Sequence, residues 1–103
     1  MIRGRLRAEI LYGHFAEALE IFEKLNEVSR ARGWREAVFL VPIAGVANEL
    51  VVEKEYPDLA TMEKEDDAFN SDPEAMKLFR SLAKVTVQGS GRVEVLSEAP
   101  HLA

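Results

Sequence analysis

The stretch of residues 48–82 limits the possible folds more than any other part of the sequence. A run of strand-forming residues, 48–56, stops at Pro57, and the helical pattern that follows breaks between Asn70 and Pro73 before it resumes. Proline has no backbone N–H to donate, so it marks the edges of helices and strands. The stretch therefore predicts one strand, one sharp corner and one interrupted helix, with Pro57 in the first turn of that helix.

The first half of the sequence predicts a similar order of elements. Residues 2–11 alternate strictly, which is typical of a strand with one dry face; Ile2, Leu6, Ala8 and Ile10 point to one side, and Arg3, Arg5, Arg7 and Glu9 to the other. From Phe15 onward apolar residues recur at steps of three and four, which predicts an amphipathic helix that ends before Gly33. Residues 37–41 are apolar on both faces and predict a strand that forms a hairpin with residues 48–56.

The second half ends with a resumed helix and a last strand. Residues 63–67, which are mostly acidic, are predicted to form the solvated side of the helix before its break. Ser71 or Asp72 is the predicted cap of the resumed helix. The last strand is predicted within residues 84–96, with Gly89-Ser90-Gly91 as a loop or bulge inside it. The predicted buried stripe of the resumed helix consists of Met76, Phe79, Leu82 and Ala83.

This order of elements predicts an α+β fold of the ferredoxin-like type, βαββαβ. With right-handed crossovers it gives a four-stranded antiparallel sheet with two helices on one face, the second of them interrupted. We expect a single domain over residues 1–97 and a disordered tail over residues 98–103. The uncovered face then carries the arginine row beside Glu49, Glu53 and Glu55, flanked by Val38 and Leu40. Such a partly apolar open face predicts a homodimer in which a second sheet covers it.

Composition excludes several classes of partner. The chain of 103 residues has a formal net charge of −5, which opposes binding to nucleic acid and to anionic membrane surfaces. It contains no cysteine, so disulfides, thiolate metal sites and cysteine nucleophiles are excluded. Neither a signal peptide nor a long apolar run is present, and we expect a cytoplasmic protein. His14 and His101 lack the spacing of a metal site, and no metal or cofactor is predicted.

Five short motifs are spread over nearly the whole chain: Gly13-His14-Phe15, Arg32-Gly33-Trp34, the hairpin into Asn48-Glu49-Leu50, Tyr56-Pro57-Asp58-Leu59-Ala60 and Asp72-Pro73-Glu74. Together they resemble the dimeric α/β-barrel superfamily, and its NIPSNAP-like small proteins in particular. The resemblance implies a dimer whose two sheets pack face to face as a barrel, often around a small cavity. Members that resemble antibiotic-biosynthesis monooxygenases oxidise aromatic compounds without a cofactor, others bind haem, and many have no established activity.

No catalytic constellation is visible, and no catalytic set of those enzymes is matched residue by residue. The first hypothesis is a homodimer that binds a small organic molecule in the cavity between its sheets, with cofactor-free monooxygenase or isomerase chemistry as its enzymatic form. A surplus arginine would hold an anionic or carbonyl ligand, and aromatic side chains at the ends of the first helix would border the cavity. The candidate ligand-binding residues are Arg3, Arg5, Arg7, Tyr12, His14 and Trp34.

Other functions stay open beside this one. In a structural or interaction dimer without chemistry, the two charge rows would only neutralise each other and fix the strand register. The same strand order occurs in RNA-binding domains, but those present basic and aromatic residues where this chain has Glu49, Glu53 and Glu55. A regulatory module that binds amino acids is the third alternative.

Overall fold

The computed structural model describes residues 1–99 as an antiparallel sheet of four strands with helices on one face, the ferredoxin-like α+β fold that the sequence predicts. The strand order across the sheet is β2-β3-β1-β4. The strands are β1 (Ile2–Glu9), β2 (Val38–Leu40), β3 (Glu49–Tyr56) and β4 (Arg92–Ser97), and the helices are α1 (Phe15–Arg32), α2 (Leu59–Asn70) and α3 (Pro73–Ser81).

The helix boundaries follow from local capping chemistry. Gly33 ends α1 in the left-handed region at a φ of 75°, which glycine adopts without steric cost. Asp72 caps α3 by accepting a hydrogen bond from the backbone N–H of Ala75 at 3.0 Å. The predicted break between α2 and α3 is therefore confirmed. The placement of Pro57 was wrong by two positions, because Asp58 is the cap of α2 and leaves the proline outside the helix.

The strand register confirms the predicted pairing of the two charge rows. Arg3 lies opposite Glu55 and Arg5 opposite Glu53 on the antiparallel neighbours β1 and β3. Arg7 lies opposite Val51 rather than a glutamate. Since successive side chains of a strand point to opposite faces, these residues share the open face, the side of the sheet that carries no helix.

The core lies between the other side of the sheet and the helices. Ile10, Phe22, Leu50 and Val85 are among its buried side chains. The predicted stripe of α3 was wrong in part: Leu82 is buried, but Phe79 and Ala83 are exposed, and the buried residue of α3 is Ala75.

Ion pairs link the start of α3 to the end of α1. They explain why α3 turns Ala75, and not Phe79, toward the core. The Arg32 guanidinium contacts the carboxylates of Asp72 at 2.7 Å and Glu74 at 3.0 Å. Arg32 also holds the pKa of Asp72 below its ordinary value. These contacts help to bring α3 against α1, so that Ala75 is directed inward.

The chain after α3 forms less strand than predicted. Residues Leu82–Lys84 form a 3-10 turn, and Thr86 makes one isolated bridge to Ile10 before the glycine-containing loop leads into β4. The predicted tail over residues 98–103 lies mostly outside the described residues, as does His101. Within residues 1–99, no helix combines the length and the hydrophobicity needed to cross a membrane.

Candidate functional site

The arginines predicted to bind a ligand are engaged with glutamates across the open face. Arg5 contacts Glu53, which is only 9% exposed. Arg7 Nη1 lies 3.1 Å from Glu49 Oε1, and its Nε contacts Glu94 on β4. Arg3 Nη2 lies 3.6 Å from Glu55 Oε1. Each arginine of this row therefore has a carboxylate partner within its own chain.

The three aromatic candidates do not come together. Tyr12 is 81% exposed, beyond the end of β1. His14 Nδ1 lies 2.9 Å from Glu17 Oε2 on the exposed first turn of α1. Trp34 packs its ring against Phe69 at a centroid distance of 6.3 Å. The role of these residues in ligand binding stays a prediction.

A space that can hold a small molecule lies on the opposite side of the sheet, among the described residues. A partly open cavity of about 210 Å³ lies between the helix side of the sheet and the helices. For comparison, an apolar cavity of about 150 Å³ is large enough to bind benzene. Its walls are predominantly apolar, as ligand pockets generally are. The apolar lining includes Leu6, Phe22, Phe39, Val52, Phe69 and Val95.

Helix α2 covers this cavity with a single stripe of side chains. Met62, Asp66 and Phe69 all line the cavity, and their spacing of four and three residues places them on one helix face. None of the α2 residues is fully buried. The helix therefore acts as a thin cover over the cavity. Its acidic run is largely exposed, as the sequence predicts, and Asp66 also borders the cavity.

The polar side chains of the lining include a cation, a phenol and a carboxyl group. Lys54 and Tyr56 lie on the helix side of β3, and Asp66 faces them from α2. Burial lowers the pKa of Lys54, although the charges of Glu65 and Asp66 act in the opposite direction. Burial also raises the pKa of Tyr56 to about 12 and the pKa of Asp66 above its ordinary value. Perturbed ionisable groups in one cavity are typical of functional sites.

A second groove adjoins the cavity under α3. It has a volume of about 740 Å³ and shares Leu6, Phe22 and Phe79 with the cavity. The loop before β4 forms its other wall, where the Ser90 hydroxyl donates to Val87 O at 2.6 Å and accepts from the backbone N–H of Glu9 at 3.0 Å. We regard the cavity under α2 as the candidate site despite its smaller volume, because it combines apolar walls with the ionisable groups of Lys54, Tyr56 and Asp66.

Sequence reasoning missed the polar residues of the cavity, although signals for two of them exist. Lys54 is the charged residue among the otherwise apolar alternate positions Leu50, Val52 and Tyr56 of β3. Asp66 stands at helical spacing from Met62 and Phe69. No group of three or more histidine, aspartate or glutamate side chains in residues 1–99 is arranged to hold a metal ion.

Comparisons with known proteins identify solved structures with the same fold but no relative by sequence. No protein-family model matches the chain, and no curated protein matches it significantly. Among solved structures, a NIPSNAP domain protein from Burkholderia xenovorans matches with a TM-score of 0.78 and 15% identity, over 96% of this chain and 95% of that one. An antibiotic biosynthesis monooxygenase matches with a TM-score of 0.73 and 17% identity, over 97% of this chain and 100% of that one.

A third match is a NIPSNAP family protein from Agrobacterium tumefaciens, with a TM-score of 0.75 and 14% identity over 95% of this chain and 92% of that one. The chain thus has the ferredoxin-like fold of NIPSNAP-domain and antibiotic-biosynthesis-monooxygenase structures. The predicted resemblance is confirmed at the level of the fold, since identities this low carry no further inference.

Proposed function

We propose that this chain binds a small, largely apolar organic molecule in the cavity between the sheet and α2. The observation that carries the proposal is the cavity itself, which combines apolar walls with Lys54, Tyr56 and Asp66. An apolar pocket with a few polar groups that fix orientation is the usual form of a small-molecule site. The proposed cavity differs from the one expected between two sheets, because it lies within one chain.

The enzymatic form of this proposal is cofactor-free oxygenase or isomerase chemistry. Asp66, whose pKa is raised, and the Lys54 ammonium line one cavity. A base with a raised pKa is closer to the working pH of an enzyme, and a nearby cation stabilises the anion that loss of a proton creates. A solved structure of the same fold is named as an antibiotic biosynthesis monooxygenase, which supports this form by analogy.

The proposal includes a homodimer formed through the open face. Val38 is 56% exposed and Leu40 is 45% exposed there, side by side on β2. Burial of such a patch against the same patch of a second copy would remove apolar surface from water. The proposed location is the cytoplasm, whose reducing conditions suit a chain without cysteine.

A second candidate function is a structural or interaction dimer without a ligand. The observation that favours it is the pairing of Arg3, Arg5 and Arg7 with glutamates of their own chain. In this candidate the charge rows fix the strand register, and the cavity has no occupant.

Filling the cavity from Gly4 separates the two candidates. A Cβ atom at Gly4 would lie 3.6 Å from Tyr56 Cε2 and 4.0 Å from Met62 Sδ, which are ordinary contact distances. Gly4→Ala therefore fits, whereas the larger side chain of Gly4→Ile projects into the cavity. Leu96→Phe is the control, because it adds bulk to the open face of the neighbouring strand β4.

The affinity of each variant is measured by calorimetry with neutral aromatic probes, 4-ethylbenzamide and 2-naphthamide. We expect Gly4→Ile to weaken binding more than about ten-fold, Gly4→Ala to weaken it less, and Leu96→Phe to leave it unchanged. Equal affinities for Gly4→Ile and the unmodified protein would move the site out of this cavity. Absence of any binding to the unmodified protein would favour the structural dimer.

A further inference from the structure

Within residues 1–99, the Lys54 ammonium has no carboxylate partner. No carboxylate oxygen in residues 1–99 lies within 4.0 Å of its Nζ atom, and no hydrogen bond engages it there. Its nearest defined interaction is with the ring of Phe69, whose centroid lies 5.7 Å from Nζ. No fully buried side-chain nitrogen or oxygen in the described residues lacks a hydrogen bond. The Lys54 Nζ atom therefore borders open space.

Three other polar residues of the cavity wall, Asn26, Arg5 and Tyr56, offer no free cation to a ligand. Asn26 donates to Ala37 O at 2.8 Å and accepts from the Ala37 backbone N–H at 2.7 Å. The Arg5 side chain pairs with Glu53 on the open face, on the other side of the sheet from the cavity. Tyr56 is a neutral phenol at neutral pH, as an ordinary tyrosine is, and burial raises its pKa further, to about 12. Lys54 is the cation that a ligand in this cavity can reach.

We propose that the cavity takes an apolar molecule with a single carboxylate, and that this carboxylate pairs with Lys54. The inference rests on the function proposed above and names the ligand class for the same site. A carboxylate is favoured over a phenol because it is already ionised at neutral pH, with a pKa of about 4 rather than about 10. A second negative charge is disfavoured because Asp66 stands at the same cavity.

Asp66 competes with such a ligand from the exposed side of the cavity. The residue is exposed, so water screens its charge, whereas Lys54 is half-buried. An ion pair inside the cavity is screened less and is therefore stronger than the same pair at the surface. Burial also lowers the pKa of Lys54, because the partly buried ammonium has lost some of its hydration. A bound anion would offset this loss.

Matched acids and amides test the proposal. The affinities of 4-ethylbenzoate and 2-naphthoate are compared by calorimetry at neutral pH with those of 4-ethylbenzamide and 2-naphthamide, which have nearly the same shape and no charge. We expect the acids to bind roughly ten-fold more tightly than their amides, the effect of one charge-assisted hydrogen bond. Lys54→Met should abolish this preference and leave the affinity for the amides within about two-fold.

Two further variants complete the design. Lys64→Met makes the same change on the exposed side of α2, away from the cavity lining, and should behave as the unmodified protein does. Asp66→Asn removes the competing carboxylate and should tighten the acids alone. Thermal melting confirms that each variant is folded.

The failures of the two proposals are distinguishable. If acids and amides bind the unmodified protein equally well, or if Lys54→Met weakens both to the same degree, the carboxylate assignment is overturned while the cavity remains a binding site. If neither class of compound binds the unmodified protein, the proposed function fails and the assignment fails with it.

Discussion

Glu53 and Lys54 are neighbours in β3 and point to opposite faces of the sheet, where their charges are treated differently. Glu53 is buried on the open face against Arg5 of the adjacent strand. Lys54 lies on the helix side with no carboxylate within 4.0 Å in the described residues. The arginine row of the open face is thus paired within the chain, whereas Lys54 on the helix side has no carboxylate partner in the described residues.

Both faces of the sheet leave some apolar side chains exposed. On the open face these include Val38 and Leu40 of β2; on the helix side the helices cover the core, but Val93 and Val95 of β4 stay exposed. In the proposed dimer a second copy would cover Val38 and Leu40, and the proposed ligand would bring an anion to Lys54.

The largest expected effect concerns the exposed apolar patch of Val38 and Leu40 on the open face. Leu40→Lys places a charge in the proposed dimer interface, where its burial without a partner would be costly. We expect light scattering at micromolar concentration to give the mass of a dimer for the unmodified protein and of a monomer for this variant. Leu59→Lys is the control, because Leu59 is 51% exposed on α2, outside the open face. A monomeric mass for the unmodified protein would contradict the proposed dimer.

The next largest effect concerns the ion pair between Arg5 and Glu53 on the open face. Arg5→Met leaves the buried Glu53 carboxylate without its cation and should lower the free energy of unfolding by about 2 kcal/mol. Arg5→Met combined with Glu53→Met should recover part of that loss, because the unpaired charge is then removed. Chemical denaturation of both single variants and the double variant gives the coupling energy. Additive losses would mean that the two residues are not coupled, and would reopen a ligand-binding role for Arg5.

The smallest effect concerns Tyr56 and pH. The pKa of its phenol is about 12 in the folded protein, above the value of about 10 in an unfolded chain. Between these two values the unfolded chain loses this proton and the folded protein keeps it, so stability decreases as pH rises. We expect Tyr56→Phe to remove about 1–2 kcal/mol of this decrease between about pH 10 and 12. Parallel stability curves for the two proteins would show that Tyr56 is not shielded from water.

The elements that could be predicted from the sequence are those with local causes. The full extent of α1 follows from its apolar spacing and from Gly33, whose left-handed conformation ends the helix. The facing positions of Arg5 and Glu53 follow from strict alternation in two strands, since a shift by one residue would turn the apolar positions away from the core. These features depend on local sequence alone and not on how the helices pack against the sheet.

The cavity could not be predicted, because its shape depends on how closely each helix approaches the sheet. Ala75 brings α3 close to α1, and α2 covers the sheet without burying any of its own residues. The space left under α2 is set by this packing and by Gly4, which has no side chain to fill it. Periodicity placed Asp66 correctly on the exposed side of α2, but it gave no sign that this residue also borders the cavity beside Met62 and Phe69.

The most direct test of the account is to locate a bound probe relative to the two faces of β3. Val51 and Val52 are adjacent, but the methyl groups of Val51 lie on the open face and those of Val52 at the cavity. With methyl-labelled protein, nuclear Overhauser effects from the ring protons of 2-naphthoate should reach Val52 and Met62 and be absent for Val51 and Leu40. Contacts to Val51 and Leu40 without contacts to Val52 would place the ligand on the open face and contradict the account.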